Sequence, residues 1–135
     1  MADEAARKAV ALEYCRRMNS GDLDGVMELF ASDVRFQDPV GTPPLVGRAA
    51  VRAHLARAVA AGIVEEPGTP TASLDGETVA LPVSGTLDAP AETADGGRVR
   101  FNLVSLMRVD DAGLVVEVRV IAGRTDYGLV DPSGV

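Results

Sequence analysis

The sequence contains no tryptophan, a single histidine (His54) and a single cysteine (Cys15), and aromatic residues make up only 4% of it. One cysteine excludes an intramolecular disulfide. One histidine leaves no cluster of Cys, His and carboxylate side chains at metal-ligand spacing, so no metal or other cofactor is expected. A serine or cysteine nucleophile paired with histidine is equally unsupported, and His54 itself reads as a helix-face residue. The glycine-containing stretches GVMELF and GTPPLVG lack the spacing of phosphate-binding loops. No apolar run approaches the roughly 18 residues that a membrane-spanning helix needs. The first 20 residues include Asp3, Glu4, Arg7, Lys8 and Glu13, so they carry neither the basic nor the apolar part of a signal peptide. Basic residues are in deficit, 13 against 20 acidic ones, for a net charge of −7. That balance argues against nucleic acid and anionic membrane as partners. The expectation is a cytoplasmic protein that takes a neutral or apolar small molecule.

What is present suits one domain spanning residues 1–135. Apolar residues make up 47% and charged ones 24%, and a chain of this length buries roughly two thirds of its unfolded surface. Over residues 4–20, Ala6, Val10, Tyr14 and Met18 recur at i+4 with Ala11 and Cys15 beside them, which predicts an amphipathic helix with Tyr14 turned inward. NSGD ends it through Asn19 or Gly21, and Asp22 can cap a second helix with Leu23, Val26, Met27 and Phe30 on its inner face. A short strand near residues 33–37 precedes a third helix over about 47–61, with Val51, Leu55, Ala58 and Gly62 on one side.

Beyond that helix the period changes from 3.6 to 2. Val79, Leu81 and Val83 alternate in a strand where Pro82 suits an edge or a bulge. DAPAETADGG reads as a hairpin loop. The following strand places Val99, Phe101, Leu103, Ser105, Met107 and Val109 on one face, so Ser105 is a lone polar residue among apolar ones. A last strand carries Leu114, Val116, Val118, Val120 and Ala122 on its inner face. Three helices followed by such strands predict an α+β fold, a curved, mostly antiparallel sheet wrapped around the N-terminal helices and enclosing an apolar cavity. An outer face bearing Val104, Leu106, Val115 and Ile121 predicts a homodimer.

The stretch FQDPVGTPPLVG, residues 36–47, sets one acid, Asp38, among prolines, glycines and aliphatic side chains. Asp38 is either a carboxylate at the cavity mouth or an Asx-turn residue satisfying nearby backbone N–H groups. Tyr14 and Ser105 likewise read as cavity donors or as ordinary core residues. Taken together, an acceptor, a phenol and a hydroxyl aimed into one cavity suit proton abstraction next to a carbonyl.

The run Y-x7-GDLDG-x4-LFASD-x4-DPVG-x-PP-x-x-G, from Tyr14 to Gly47, resembles bacterial ketosteroid isomerases of the nuclear transport factor 2-like (SnoaL-like) superfamily, and the likeness continues through LMRVDDAG. The resemblance implies a steroid Δ5-isomerase, with Asp38 as general base and Tyr14 as oxyanion donor. Ser105 falls where many members carry a protonated aspartic acid and is expected to act as the second oxyanion donor, and Phe30 and Leu55 fall where some carry tyrosines. Ala122 stands where a ligand-contacting aromatic is found. The steroid-like substrate would lie against Phe30, Phe36, Val40, Leu55, Phe101, Leu103, Met107 and Val120. Polyether epoxide hydrolase/cyclases share the GDLDG and DPVG patterns, and by that resemblance Asp38 would pair with Glu65 of IVEEPG. On its own spacing Glu65 reads as a solvated strand-edge acid. A non-catalytic binding protein on the same fold is the third reading.

Overall fold

The computed structural model describes residues 2–90 and 97–130. Helix α1 (Glu4–Asn19) opens on Asp3, whose carboxylate accepts from the Ala6 N–H, and ends where Gly21 takes φ 71°. Its buried residues are Ala11, Tyr14, Cys15 and Met18, together with Arg7. Ala6, expected inside, is exposed. Arg7 occupies the inner position because its guanidinium donates to the carbonyls of Ala2, Ser73 and Thr78, so hydrogen bonds rather than hydrophobicity hold it there.

Helix α2 (Leu23–Met27) starts at Asp22, which accepts from the Gly25 N–H, and is shorter than its apolar spacing suggests. Phe30 lies beyond it, at the start of strand β1 (Phe30–Gln37), where it pairs with Val115. Strand β2 (Leu45–Val46) follows the Asp38 loop, and α3 (Arg48–Ala60) buries Val51 and Leu55. Strands β3 (Val64–Pro67), β4 (Thr71–Ala72), β5 (Thr78–Asp88), β6 (Arg98–Val109), β7 (Val115–Ile121) and β8 (Tyr127–Leu129) complete the elements.

The sheet runs β2-β1-β7-β6-β5-β3, with β4 also on β5 and β8 on β6, and it does not close. The β1–β7 pair is parallel and the other pairs are antiparallel. The helices pack on one face of this curved sheet, which gives the expected α+β cone. No helix among the described residues is long and apolar enough to cross a membrane.

Two strands differ from simple alternation. Val109 pairs with Val115 while Arg108 pairs with Glu117, so β7 carries one extra residue, Val116, at a bulge. The bulge resets the faces before it: Val118 and Val120 point inward as expected, but Val115 is buried in place of Leu114 and Val116. Val115 is therefore core, not part of an outer apolar face, whereas Val104 and Ile121 are exposed there. Pro82 sits where the neighbour of β5 changes from β3 to β4, so its missing N–H breaks no ladder. The hairpin loop read as DAPAETADGG closes through Ala89 N–H to the Gly97 carbonyl, and its residues 91–96 lie outside the described residues.

Gly85 in β5 lies opposite Glu65 of β3 and opposite Phe101 of β6. A Cβ there would collide with the Val64 carbonyl oxygen and the Phe101 ring. Gly85→Ala should therefore destabilise the fold by roughly 1–3 kcal/mol or more, as overpacking does. The check is a lowered urea midpoint with an unchanged m-value.

Candidate active site

A cavity of about 850 Å³ lies between α1, α3 and the inner faces of β5, β6 and β7. Its wall is mainly apolar, and its polar residues include Tyr14, Asp38, His54, Glu65, Ser105 and Tyr127. Each reaches the cavity by a different local device.

Asp38 follows the last residue of β1, and the Asp38–Pro39 peptide is cis. The loop beyond is pinned by Val40 N–H to the Val120 carbonyl at 2.8 Å, and by the N–H and hydroxyl of Thr42 to the Pro39 carbonyl. These bonds close the turn without the Asp38 side chain, which is free to face the cavity mouth. There Asp38 Oδ2 lies 2.9 Å from His54 Nε2 of α3, with both side chains 28% exposed. Because a carboxylate only accepts, the imidazole donates through Nε2–H. The His54 ring also packs on Phe36, at a centroid distance of 5.7 Å. Read as an ordinary helix-face residue, His54 instead belongs to the site. Its spacing, three residues after Val51 and four before Ala58, was the available signal for an inward position.

Glu65 lies on the edge strand β3 yet is 8% exposed, so the expectation of a solvated strand-edge acid is overturned. The side-chain amide of Asn19 brackets its backbone, donating to the Glu65 carbonyl at 2.8 Å and accepting from the Glu65 N–H at 2.6 Å. The edge of β3 is thus satisfied by the end of α1, and alternation turns Glu65 inward. Its Oε2 is buried without a hydrogen-bond partner among the described residues. Burial raises the carboxyl to about 7, the Cys15 thiol hydrogen bond partly offsets this, and the charge of Asp38 adds to the rise. Burial also pushes the Cys15 thiol up, with Glu65 next in effect.

Tyr14 is buried on α1, and its phenol is held well above its usual range by burial first, then by the charge of Glu65, with smaller effects of Cys15 and Asp38. Its ring begins an aromatic series in which Tyr14 meets Phe30 at 6.0 Å and Phe30 meets Phe36 at 6.3 Å. Ser105 is 5% exposed on the cavity face of β6, with its Oγ buried and without a hydrogen-bond partner among the described residues. Of the expected wall residues, Phe36, Leu55, Phe101, Leu103, Met107 and Val120 line the cavity. Phe30 and Val40 are placed elsewhere: Phe30 is core between Tyr14 and Phe36, and Val40 serves through its backbone on β7.

Tyr127 escaped the sequence reading because GRTDYGL shows no alternation long enough to mark a strand. It pairs with Phe101 through β8 and brings a second phenol to the cavity. Partial burial, and after it the charge of Asp38, raises that phenol.

The fold is an open α+β cone, with Asp38 and Glu65 on a mainly apolar cavity; its family is the SnoaL-like domain. Residues 11–118 match that domain family, and the chain belongs to it. The chain is 49% identical over 126 residues to the epoxide hydrolase LasB of Streptomyces lasalocidi, an alignment covering 93% of this chain and 44% of LasB. It therefore spans less than half the length of that relative. Among solved structures, it superposes on SalBIII, an epoxide hydrolase/cyclase-like enzyme with a role in pyran ring formation in the polyether salinomycin. The TM-score is 0.90 at 34% identity, covering 96% of this chain and 99% of SalBIII. The Mycobacterium tuberculosis protein RV0760c, solved with estradiol-17beta-hemisuccinate, matches with a TM-score of 0.81 at 20% identity, over 91% of this chain and 98% of that one.

These likenesses correct the steroid Δ5-isomerase expectation. LasB and SalBIII, at 49% and 34% identity, are described as epoxide enzymes, whereas the likeness to the steroid-bound neighbour, at 20%, shows the fold alone. The superfamily was legible in the motifs, and the reaction was not.

The environment of Glu65 has a measurable signature. Its carboxyl holds a proton in the folded state up to about pH 7, and in the unfolded chain only up to about 4.5. The folded state therefore binds more protons between these values, and stability falls as pH rises through that window. Relative to Glu65→Gln, which cannot titrate, the wild type should lose on the order of 3 kcal/mol between about pH 4 and about pH 8. Urea unfolding of both proteins across that range is the measurement, and a pH-independent difference would mean that Glu65 titrates as if in water.

Proposed function

We propose that this chain is an epoxide hydrolase/cyclase domain, acting on an apolar substrate that carries an epoxide and, for cyclisation, an internal hydroxyl. The observation that carries this reading is Glu65: a buried carboxyl with an unpartnered oxygen, in the same apolar cavity as Asp38 and raised to about 7. Epoxide opening needs an acid for the leaving oxygen and a base for the attacking hydroxyl or water. In its protonated form, Glu65 transfers its proton to the epoxide oxygen as the C–O bond breaks. Asp38 takes the proton of the attacking O–H as the new C–O bond forms. One proton is given and one received, so no oxidant, reductant or cofactor is required. Tyr14 and Ser105 supply further donors to substrate oxygens. A volume of about 850 Å³ lies within the range of roughly 300–1,000 Å³ typical of small-molecule sites. The likeness to LasB and SalBIII supports the substrate class.

The protein is proposed to act as a homodimer through the outer sheet face, where Val104 and Ile121 are exposed.

A suitable probe is an apolar 4,5-epoxy alcohol, whose hydroxyl closes to a five- or six-membered ether. The wild type should accelerate its conversion to cyclic ether or diol, followed by chromatography, and no acceleration over buffer would sink the proposal. Asp38→Asn and Glu65→Gln should each lower kcat by about 10²- to 10⁴-fold, the usual worth of a positioned acid or base. Because the acid must be protonated, kcat should fall as pH rises through about 7, and that alkaline limb should be missing from the residual activity of Glu65→Gln.

A further inference from the structure

We infer that His54 is a positioning residue, which fixes the rotamer of Asp38 and reserves one carboxylate oxygen for the attacking hydroxyl. The inference rests on the proposed epoxide-opening reaction and adds to it a residue outside the acid/base pair. Asp38 sits in a loop whose backbone is anchored by Val40 and Thr42, but these bonds leave the Asp38 side-chain torsions unconstrained. The hydrogen bond that fixes the side chain comes from a different element. His54 Nε2 approaches Oδ2 at 2.9 Å, so Oδ2 is engaged and Oδ1 remains to receive a proton. The imidazole is itself held from behind by Phe36, which lies two residues before Asp38 on the end of β1. The end of β1 with its following loop and α3 are therefore joined twice, by the Phe36–His54 ring packing and by the Asp38–His54 hydrogen bond. A base that must meet a hydroxyl within hydrogen-bond reach gains from this, since a small misplacement of a reacting group costs up to about 10²-fold in rate.

The two functions of the ring can be separated by substitution. His54→Gln places an amide N–H at about the reach of Nε2 and removes the ring, whereas His54→Phe keeps the ring against Phe36 and removes the donor. If the hydrogen bond positions Asp38, His54→Phe should lower kcat roughly 10- to 100-fold on the 4,5-epoxy alcohol with KM changed little, and His54→Gln should recover most of that loss. If the ring only supports packing, the order reverses, and that result overturns the inference, as does equal activity in the two variants.

A second readout does not depend on turnover. His54 is the only histidine in the chain, so ¹⁵N-histidine labelling gives one pair of ring nitrogen signals. The substrate-free protein should show the Nε2–H tautomer, and its Nε2 signal should move in Asp38→Asn. A ring in the Nδ1–H form, or one indifferent to Asp38→Asn, overturns the pairing whatever the reaction. An inactive wild type with the expected tautomer would instead overturn the epoxide reading, and the catalytic purpose of the pair with it.

Discussion

The arrangement of this site depends on one costly placement, the carboxyl of Glu65 inside an apolar cavity. Left to itself an edge strand would turn such a side chain to water, since desolvating a carboxylate costs far more than one strand position can return. The fold prevents that by controlling the backbone. Asn19, at the end of α1, fills the hydrogen-bonding positions on the open side of β3, and Gly85 on the other side lets the strand approach closely. With both flanks fixed, alternation leaves Glu65 no outward option, and the carboxyl responds by holding its proton to about pH 7.

The second acid is treated differently. Asp38 stands at the mouth, partly exposed and bonded to an imidazole, while Glu65 is enclosed beside a thiol. Two carboxyls of like chemistry are thus given unlike surroundings, which is the condition for one to give a proton and the other to accept one. The aromatic series Tyr14, Phe30, Phe36 and His54 runs behind these groups and ties α1 to α3 through β1. Neither helix can shift far without disturbing the core.

Much of this was legible in the sequence. The stripe through Tyr14 and Met18, the alternation through Phe101 and Ser105, and the turn-rich frame around Asp38 predicted the helices, the central strand and the cavity they share. What escaped notice depended on pairing between distant segments. Asn19 looked like a helix cap because its partner lies 46 residues away. The bulge at Val116 is set by register against β6, which no local pattern encodes. Glu65 looked solvated because a four-residue strand has too little alternation to show its face. His54 read as a helix-face residue because its partner, Asp38, comes from a different element 16 residues away. The correction from steroid to epoxide chemistry came from the likeness to LasB and SalBIII, not from any local pattern.

The parallel pairing of β1 with β7 also bears on how the molecule comes into being. Phe36 pairs with Val118, and the loop that carries Asp38 is tied to Val120, so the N-terminal third of the chain is completed by a strand some 80 residues later. Such contacts close long loops before they are rewarded, which slows folding. A chain emerging from the ribosome can form α1, α2 and α3 early, but it has no backing for the Asp38 loop until β7 has been made. The cavity mouth is thus among the last parts to be assembled, and until then the apolar faces of β1 and α3 stay uncovered and open to misassociation.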